Sequence, residues 1–208
     1  MSFVIFDTEY TSWKGCQENG WLGARKKEIV QIAAVKVDDD LNVIQEFNQL
    51  CRPTINPVLS DYFVNLTHIS NEMIAQEGIL FEDAFRAFKN FVGDDVCLSH
   101  GWGADFTHKS DGAIIDENLA LYHLTETNDI RYFNIAAVFQ KVYQVKNIQI
   151  KSQASGDIAS LLKIEDKLES LHLQPHDAFY DVYSILEGLR CLQDEMLPVL
   201  NNYLSLYA

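Results

Sequence analysis

Ser2-Phe3-Val4-Ile5-Phe6-Asp7 and Glu28-Ile29-Val30-Gln31-Ile32-Ala33-Ala34-Val35-Lys36-Val37 are the two stretches on which the fold turns. The first is β-branched and aromatic, which predicts a strand over 2–7 ending at Asp7. The second is rich enough in Ile and Val to be another strand, over 28–37. Asp38-Asp39-Asp40-Leu41-Asn42 is a turn signal, and a third strand is expected at 43–51. Strands joined by so short a connection pair as an antiparallel hairpin.

Beyond the hairpin the pattern changes. Pro53 and Pro57 bracket a loop, and 60–76 reads as short helices. Phe81, Ala84, Phe85, Phe88, Phe91 and Val92 recur at helical spacing, which predicts a helix over 81–92. A buried strand fits 95–99, helix-compatible sequence runs through 105–121, and a strand near 130–133 precedes a helix over 134–144. Residues 156–171 read as helical. The last element starts after Pro175 with Asp177 as its N-cap, and Val182, Ile185, Leu186, Leu189 and Leu192 form its apolar stripe. Strands first, then helices interleaved with strands, indicate an α/β domain with a mixed sheet. Neither a repeat nor a linker divides it, so 1–208 is expected to be one domain.

The 208 residues are 48% hydrophobic and 22% charged, the composition of a globular chain. The opening residues lack the basic and apolar regions of a secretion signal, and no run is long enough to span a membrane. Cys16, Cys51, Cys97 and Cys191 are scattered, which suits neither zinc nor a disulfide framework; reduced thiols in a cytoplasmic protein are expected. The net charge of −14 argues against wrapping long duplexes. Any grip on phosphate must be local, and two stretches qualify. One is Arg25-Lys26-Lys27. The other is 130–156, which has no acid and contains Arg131, Lys141, Lys146 and Lys151.

Residues two apart in a strand share a face, so Asp7 and Glu9 project together, and a divalent cation is the natural relief for their repulsion. His176 and Asp181 are five apart; they converge if His176 lies before the last helix and Asp181 in its first turns. Ser99-His100-Gly101-Trp102-Gly103-Ala104-Asp105 follows the strand at 95–99, with glycines suited to a bend and Asp105 at a helix start. Asp94, Asp95, Asp111 and Asp116 are competing acids in the same region.

Together these pieces resemble the DEDD exonuclease superfamily. Phe6-Asp7-Thr8-Glu9 resembles its first motif, and His100 to Asp105 its second, with Gly101 and Ala104 in place of the usual Asn and Phe. His176 and Asp181 resemble the third motif of the histidine-using branch, which includes RNase T, proofreading exonucleases and Eri-1-like enzymes. Glu28 to Val35 is similar to the family's second strand, and Leu66-Thr67-His68-Ile69 to its Leu-Thr-Gly-Ile loop, with His68 replacing the glycine.

The resemblance implies a ribonuclease H-like mixed sheet of about five strands with helices on both faces. It implies hydrolysis from the 3′ end of single-stranded DNA or RNA, releasing mononucleotides. Two Mg²⁺ or Mn²⁺ ions, roughly 3.5–4 Å apart, would sit on Asp7, Glu9, Asp105 and Asp181. His176 would be the general base. Thr8, Tyr10, Leu66, Thr67 and His68 are the candidate substrate contacts, with Trp13 a further stacking candidate. The resemblance leaves a homodimer open. Hydrolysis of short oligonucleotides or nucleotides, or a non-catalytic nucleic-acid-binding module on the same fold, are the competing readings.

Overall fold

The computed structural model describes residues 2–150, 154–171, 173 and 175–207. In chain order the elements are β1 (Phe3–Tyr10), α1 (Cys16–Asn19), β2 (Ile29–Val37), β3 (Val43–Leu50), α2 (Asp61–Thr67), α3 (Asn71–Glu77), α4 (Phe81–Val92), β4 (Val96–Ser99), α5 (Asp111–Leu121), β5 (Tyr132–Asn134), α6 (Ala136–Lys146), α7 (Asp157–Leu162), α8 (Glu165–Glu169), α9 (Ala178–Cys191) and α10 (Gln193–Tyr207). The five strands form one mixed sheet in the order β3-β2-β1-β4-β5. The hairpin pairs β1 with β2 and β2 with β3 antiparallel, while β4 runs parallel to β1 and β5 parallel to β4.

Alternation along β1 assigns each side chain to one of two cores. Phe3 and Ile5 face a core built with Phe139 of α6, Val182, Ile185 and Leu189 of α9, and Leu200 of α10. Val4 and Phe6 face the other, against Phe81, Phe85 and Phe88 of α4 and Ile115 of α5. Burial on both sides explains why β1 and β2 are almost continuously apolar. Phe6, the residue before Asp7, lies 5.4 Å from the Phe88 ring and 5.5 Å from the Tyr132 ring.

Three boundaries differ from the sequence expectation. β1 continues past Asp7 to Tyr10, because Glu9 pairs with Gln31 and Tyr10 with Ile29 across the hairpin. Residues 105–110 are not helical; the chain bends and turns until Asp111. Phe106 holds that loop down, stacked on Phe133 at 4.9 Å and on Tyr203 of α10 at 4.5 Å. The last helix is two, broken at Leu192, and α10 seals the core with Met196, Leu200 and Leu204.

Because α4 packs its aromatic face directly under β1, Phe88→Ala should cost about 3–5 kcal/mol, measured by urea unfolding. A loss below about 1 kcal/mol would show that the site strand does not lean on this helix.

Candidate active site

Asp7 and Glu9 share the face of β1 that looks toward α9, and Asp181 reaches them from that helix's first turn. One carboxylate oxygen from each of the three lies within 4.8 Å of the others. Asp181 is placed by the start of α9: Asp177 caps it by accepting from Phe179 N at 2.7 Å. Gln31, opposite Glu9 on β2, ties that helix start to the sheet. Its side-chain amide donates to Asp177 Oδ1 at 3.1 Å and accepts from Ala178 N at 3.1 Å. Sequence reasoning passed over Gln31; the available signal was a lone polar residue inside the apolar run 29–35.

Asp181 Oδ2 accepts from Ser155 Oγ at 2.9 Å. Its other oxygen, Oδ1, is buried and has no hydrogen-bond partner among the described residues. A Cβ on Gly156 would stand 2.6 Å from that Oδ1, so a glycine there is what leaves room for the carboxylate. Gly156 was expected to start a helix; with Ser155 it lies in the loop ahead of α7 instead.

The structure sets the second-motif acid apart from the other three. Asp105 lies outside the cluster on the exposed loop after β4, where its carboxylate accepts from Thr107 N at 2.9 Å and Thr107 Oγ1 at 2.8 Å. Those bonds hold its pKa below the usual range. The loop delays the helix by six residues, so the acid at the helix start is Asp111, one of the competing acids. Its Oδ1 accepts from Thr8 Oγ1 at 2.7 Å, directly beside Asp7. Gly112 allows that approach, since a Cβ there would fall 2.4 Å from the Tyr132 ring.

Electrostatics define the group. Burial, then the charges of Asp111, Asp181 and Glu9, raise the Asp7 pKa well above the usual carboxylate range. Burial and the charges of Asp181 and Asp111 do the same to Glu9. Asp181 is pushed up to about 7, mainly by burial. Asp111 is raised by burial, against the bond from Thr8. An all-oxygen set with one unpartnered buried oxygen and mutual repulsion fits a hard divalent cation. His176 sits apart from the three-acid group, exposed on a left-handed turn (φ 65°) just before the Asp177 cap.

The substrate candidates divide. Thr8 is buried with its hydroxyl committed to Asp111. Thr67 is buried too, donating to Phe63 O at 3.0 Å at the end of α2. Leu66 is half-buried, and His68 is exposed with φ 62° at the α2 C-cap, a conformation more natural to the glycine it replaces. The Tyr10 ring lies 5.6 Å from Trp21, and Arg25 lies over Trp13 at 5.1 Å.

The raised carboxyls carry a stability consequence. Between the unfolded pKa near ~4 and the folded value of about 7 for Asp181, the folded chain binds more protons. Their contribution is therefore fully present at low pH and lost as pH rises through that window. In EDTA, the melting temperature should fall from pH 5.5 to pH 8, and Mn²⁺ should restore it at pH 8. Asp181→Asn should flatten the pH slope and abolish the Mn²⁺ gain; an unchanged slope and gain in that variant would refute this account.

The exonuclease family model of RNase T matches residues 4–189. The DNA polymerase III PolC-type of Staphylococcus saprophyticus is 28% identical over 138 residues, covering 63% of this chain and 9% of that protein. The PolC-type enzyme of Staphylococcus haemolyticus is 31% identical over 104 residues, covering 50% of this chain and 6% of that protein. The chain thus spans only a small part of these relatives' length. Among solved structures, the nuclease domain of 3′hExo, a DEDDh family member bound to rAMP, superposes with a TM-score of 0.68 at 18% identity over 94% of both chains. Escherichia coli Exonuclease I in complex with a dT13 oligonucleotide gives 0.68 at 18% identity, over 98% of this chain and 43% of that one. Those two likenesses confirm the ribonuclease H-like fold, and the match over residues 4–189 shows that the chain belongs to the RNase T exonuclease family.

Proposed function

We propose that residues 1–208 form one metal-dependent 3′–5′ exonuclease domain acting on single-stranded nucleic acid. The observation that carries the reading is the unpartnered Asp181 Oδ1, buried beside the Asp7 and Glu9 carboxylates. Four mutually repelling acids are an unfavourable arrangement for a protein that only binds nucleic acid, and a favourable one for a cation-assisted hydrolase.

In this reading Asp7, Glu9 and Asp181 hold one Mg²⁺ or Mn²⁺, and Asp7 with Asp111, in place of Asp105, holds a second. Such ions supply an acidified water and offset the charge on the oxygens of a phosphodiester. The protein's own share is positioning. Thr8 fixes Asp111, Ser155 fixes Asp181, and Gln31 fixes the turn that carries His176. An imidazole nitrogen of His176, exposed just before the Asp177 cap, would take the proton of the attacking water, the part a histidine general base plays. The exposed His68 and half-buried Leu66 receive the terminal nucleoside.

The 3′ polarity draws its support from the family and from neighbours described as 3′-exonucleases. That those neighbours were solved with rAMP in one case and dT13 in another keeps both RNA and DNA as substrates. No helix among the described residues is long and apolar enough to cross a membrane. The cytoplasm remains the compartment we favour, supported by four free cysteines.

The test is degradation of 5′-labelled and 3′-labelled single-stranded DNA and RNA in Mg²⁺, Mn²⁺ or EDTA. A metal-dependent ladder receding from the 3′ end is expected. Phosphate release from nucleotides with oligomers left intact would favour a small-molecule hydrolase. Asp111→Ala should fall below about a hundredth of wild-type rate, and His176→Ala should lose about 10²–10⁴-fold. Asp105→Ala should stay close to wild type, and a collapse of that variant would restore Asp105 to the site.

A further inference from the structure

We propose that the excursion between β1 and β2, residues 11–28, is the surface that holds the single strand leading to the cleaved end, by gripping its phosphates. This rests on the exonuclease reading above. The excursion carries Lys14, Arg25, Lys26 and Lys27 against two acids, Glu18 and Glu28, the latter buried and bonded to the amides of Thr54, Ile55 and Asn56, in a chain of 16 basic and 30 acidic residues. Local charge here is opposite in sign to the whole, which is what a polyanion needs from a −14 protein.

Partnering separates this surface from the other basic stretch. Lys146 is paired with Glu195 and Arg131 donates to Asp94 O at 2.9 Å, while Lys141 lies 5.6 Å over the Tyr203 ring, much as Arg25 lies 5.1 Å over Trp13. Lys151 lies outside the described residues. Arg25 and Lys26 are exposed and have no carboxylate partner among the described residues. Lys27 is more engaged, 3.9 Å from Glu117.

The aromatic groups add a second feature. Trp21 is fixed by its indole N–H, which donates to Thr11 O at 2.7 Å. The Lys27 ammonium lies 4.8 Å from the centre of that ring and 5.6 Å from that of Tyr10. Trp21, Arg25, Lys26, Lys27, Glu117 and Leu121 line a hollow of about 210 Å³. Flat faces beside unneutralised cations suit unpaired bases and their phosphates, without sequence readout. Tyr10, which follows Glu9 at the end of β1, packs its ring 5.6 Å from Trp21, one of the residues that line the hollow.

The backbone of the basic triplet is also held in place. Thr11 Oγ1 donates to Lys26 O at 2.6 Å, Asn56 Oδ1 accepts from Lys26 N at 3.0 Å, and Asn118 Nδ2 donates to Lys27 O at 2.9 Å. Order in the free protein lowers the cost of immobilising the grip on binding.

The experiment compares a dinucleotide with a 12-mer as substrates of the full chain in Mg²⁺, over a series of salt concentrations. It uses wild type, Arg25→Glu/Lys26→Glu, and Lys141→Glu/Lys146→Glu. For the first double variant, kcat/KM on the 12-mer should drop about five- to tenfold and its log–log salt slope should become shallower by about 1.4, two phosphate contacts at ~0.7 each. Its dinucleotide rate should be unchanged, and the second double variant should match wild type on both. Equal losses on both substrates, an unchanged salt slope, or a larger effect at Lys141 and Lys146 would overturn the proposal. If wild type cleaves neither substrate, the exonuclease reading fails. Fluorescence anisotropy of the labelled 12-mer then decides this surface separately: weaker binding by Arg25→Glu/Lys26→Glu supports it, and equal binding ends it.

Discussion

Mutual repulsion among carboxylates at the end of β1 is the constraint on which the rest of the structure depends. Asp7, Glu9 and Asp181 place oxygens within 4.8 Å of one another, and Asp111 adds its charge from the other side of the strand. Buried and half-buried acids at that spacing resist ionisation, and a fold that merely had to be stable would separate them. The surroundings hold them together instead. Phe6 is locked against Phe88 and Tyr132 immediately before Asp7, and Thr8 and Ser155 each donate to a member of the group.

A central strand buried on both faces is what makes the arrangement possible. One face of β1 delivers Asp7 and Glu9 to α9, and the other delivers Thr8 to Asp111 at the start of α5. Two helices from distant parts of the chain can therefore meet on three consecutive residues. Gln31 extends the principle: a single amide on the neighbouring strand holds the helix start that carries Asp181 and the turn that carries His176.

Charge is organised on two scales. The whole chain is acidic, yet most lysines and arginines outside the β1–β2 excursion are spent on local carboxylates or carbonyls, as at Lys36–Asp95 and Lys109–Asp116. Arg25 and Lys26 are exposed with no carboxylate partner among the described residues, so a net negative molecule still presents a locally positive surface.

Local chemistry determined much of this protein from the sequence alone. The β-branched runs of β1 and β2, the aromatic stripe of α4 and the Asp177 cap are near-neighbour patterns, and they place Asp7 on its strand and Asp181 in the first turn of its helix, while Glu9 falls beyond the expected end of a strand that continues to Tyr10. Where the chain leaves regular structure, the sequence carried less. The loop after β4 holds Asp105 and Asp111 six residues apart, and either can sit at a helix start. Phe106, stacked between Phe133 and Tyr203 from α10, and Ser99, whose hydroxyl accepts from Asp111 N, hold the junction at which the helix begins and Asp111 meets Thr8. The same holds for Gln31, Ser155 and Gly156, whose importance lies in partners 25 to 147 residues away. Periodicity and capping act over a few residues, whereas the choice of acid depends on contacts that exist only once the helices have packed on the sheet.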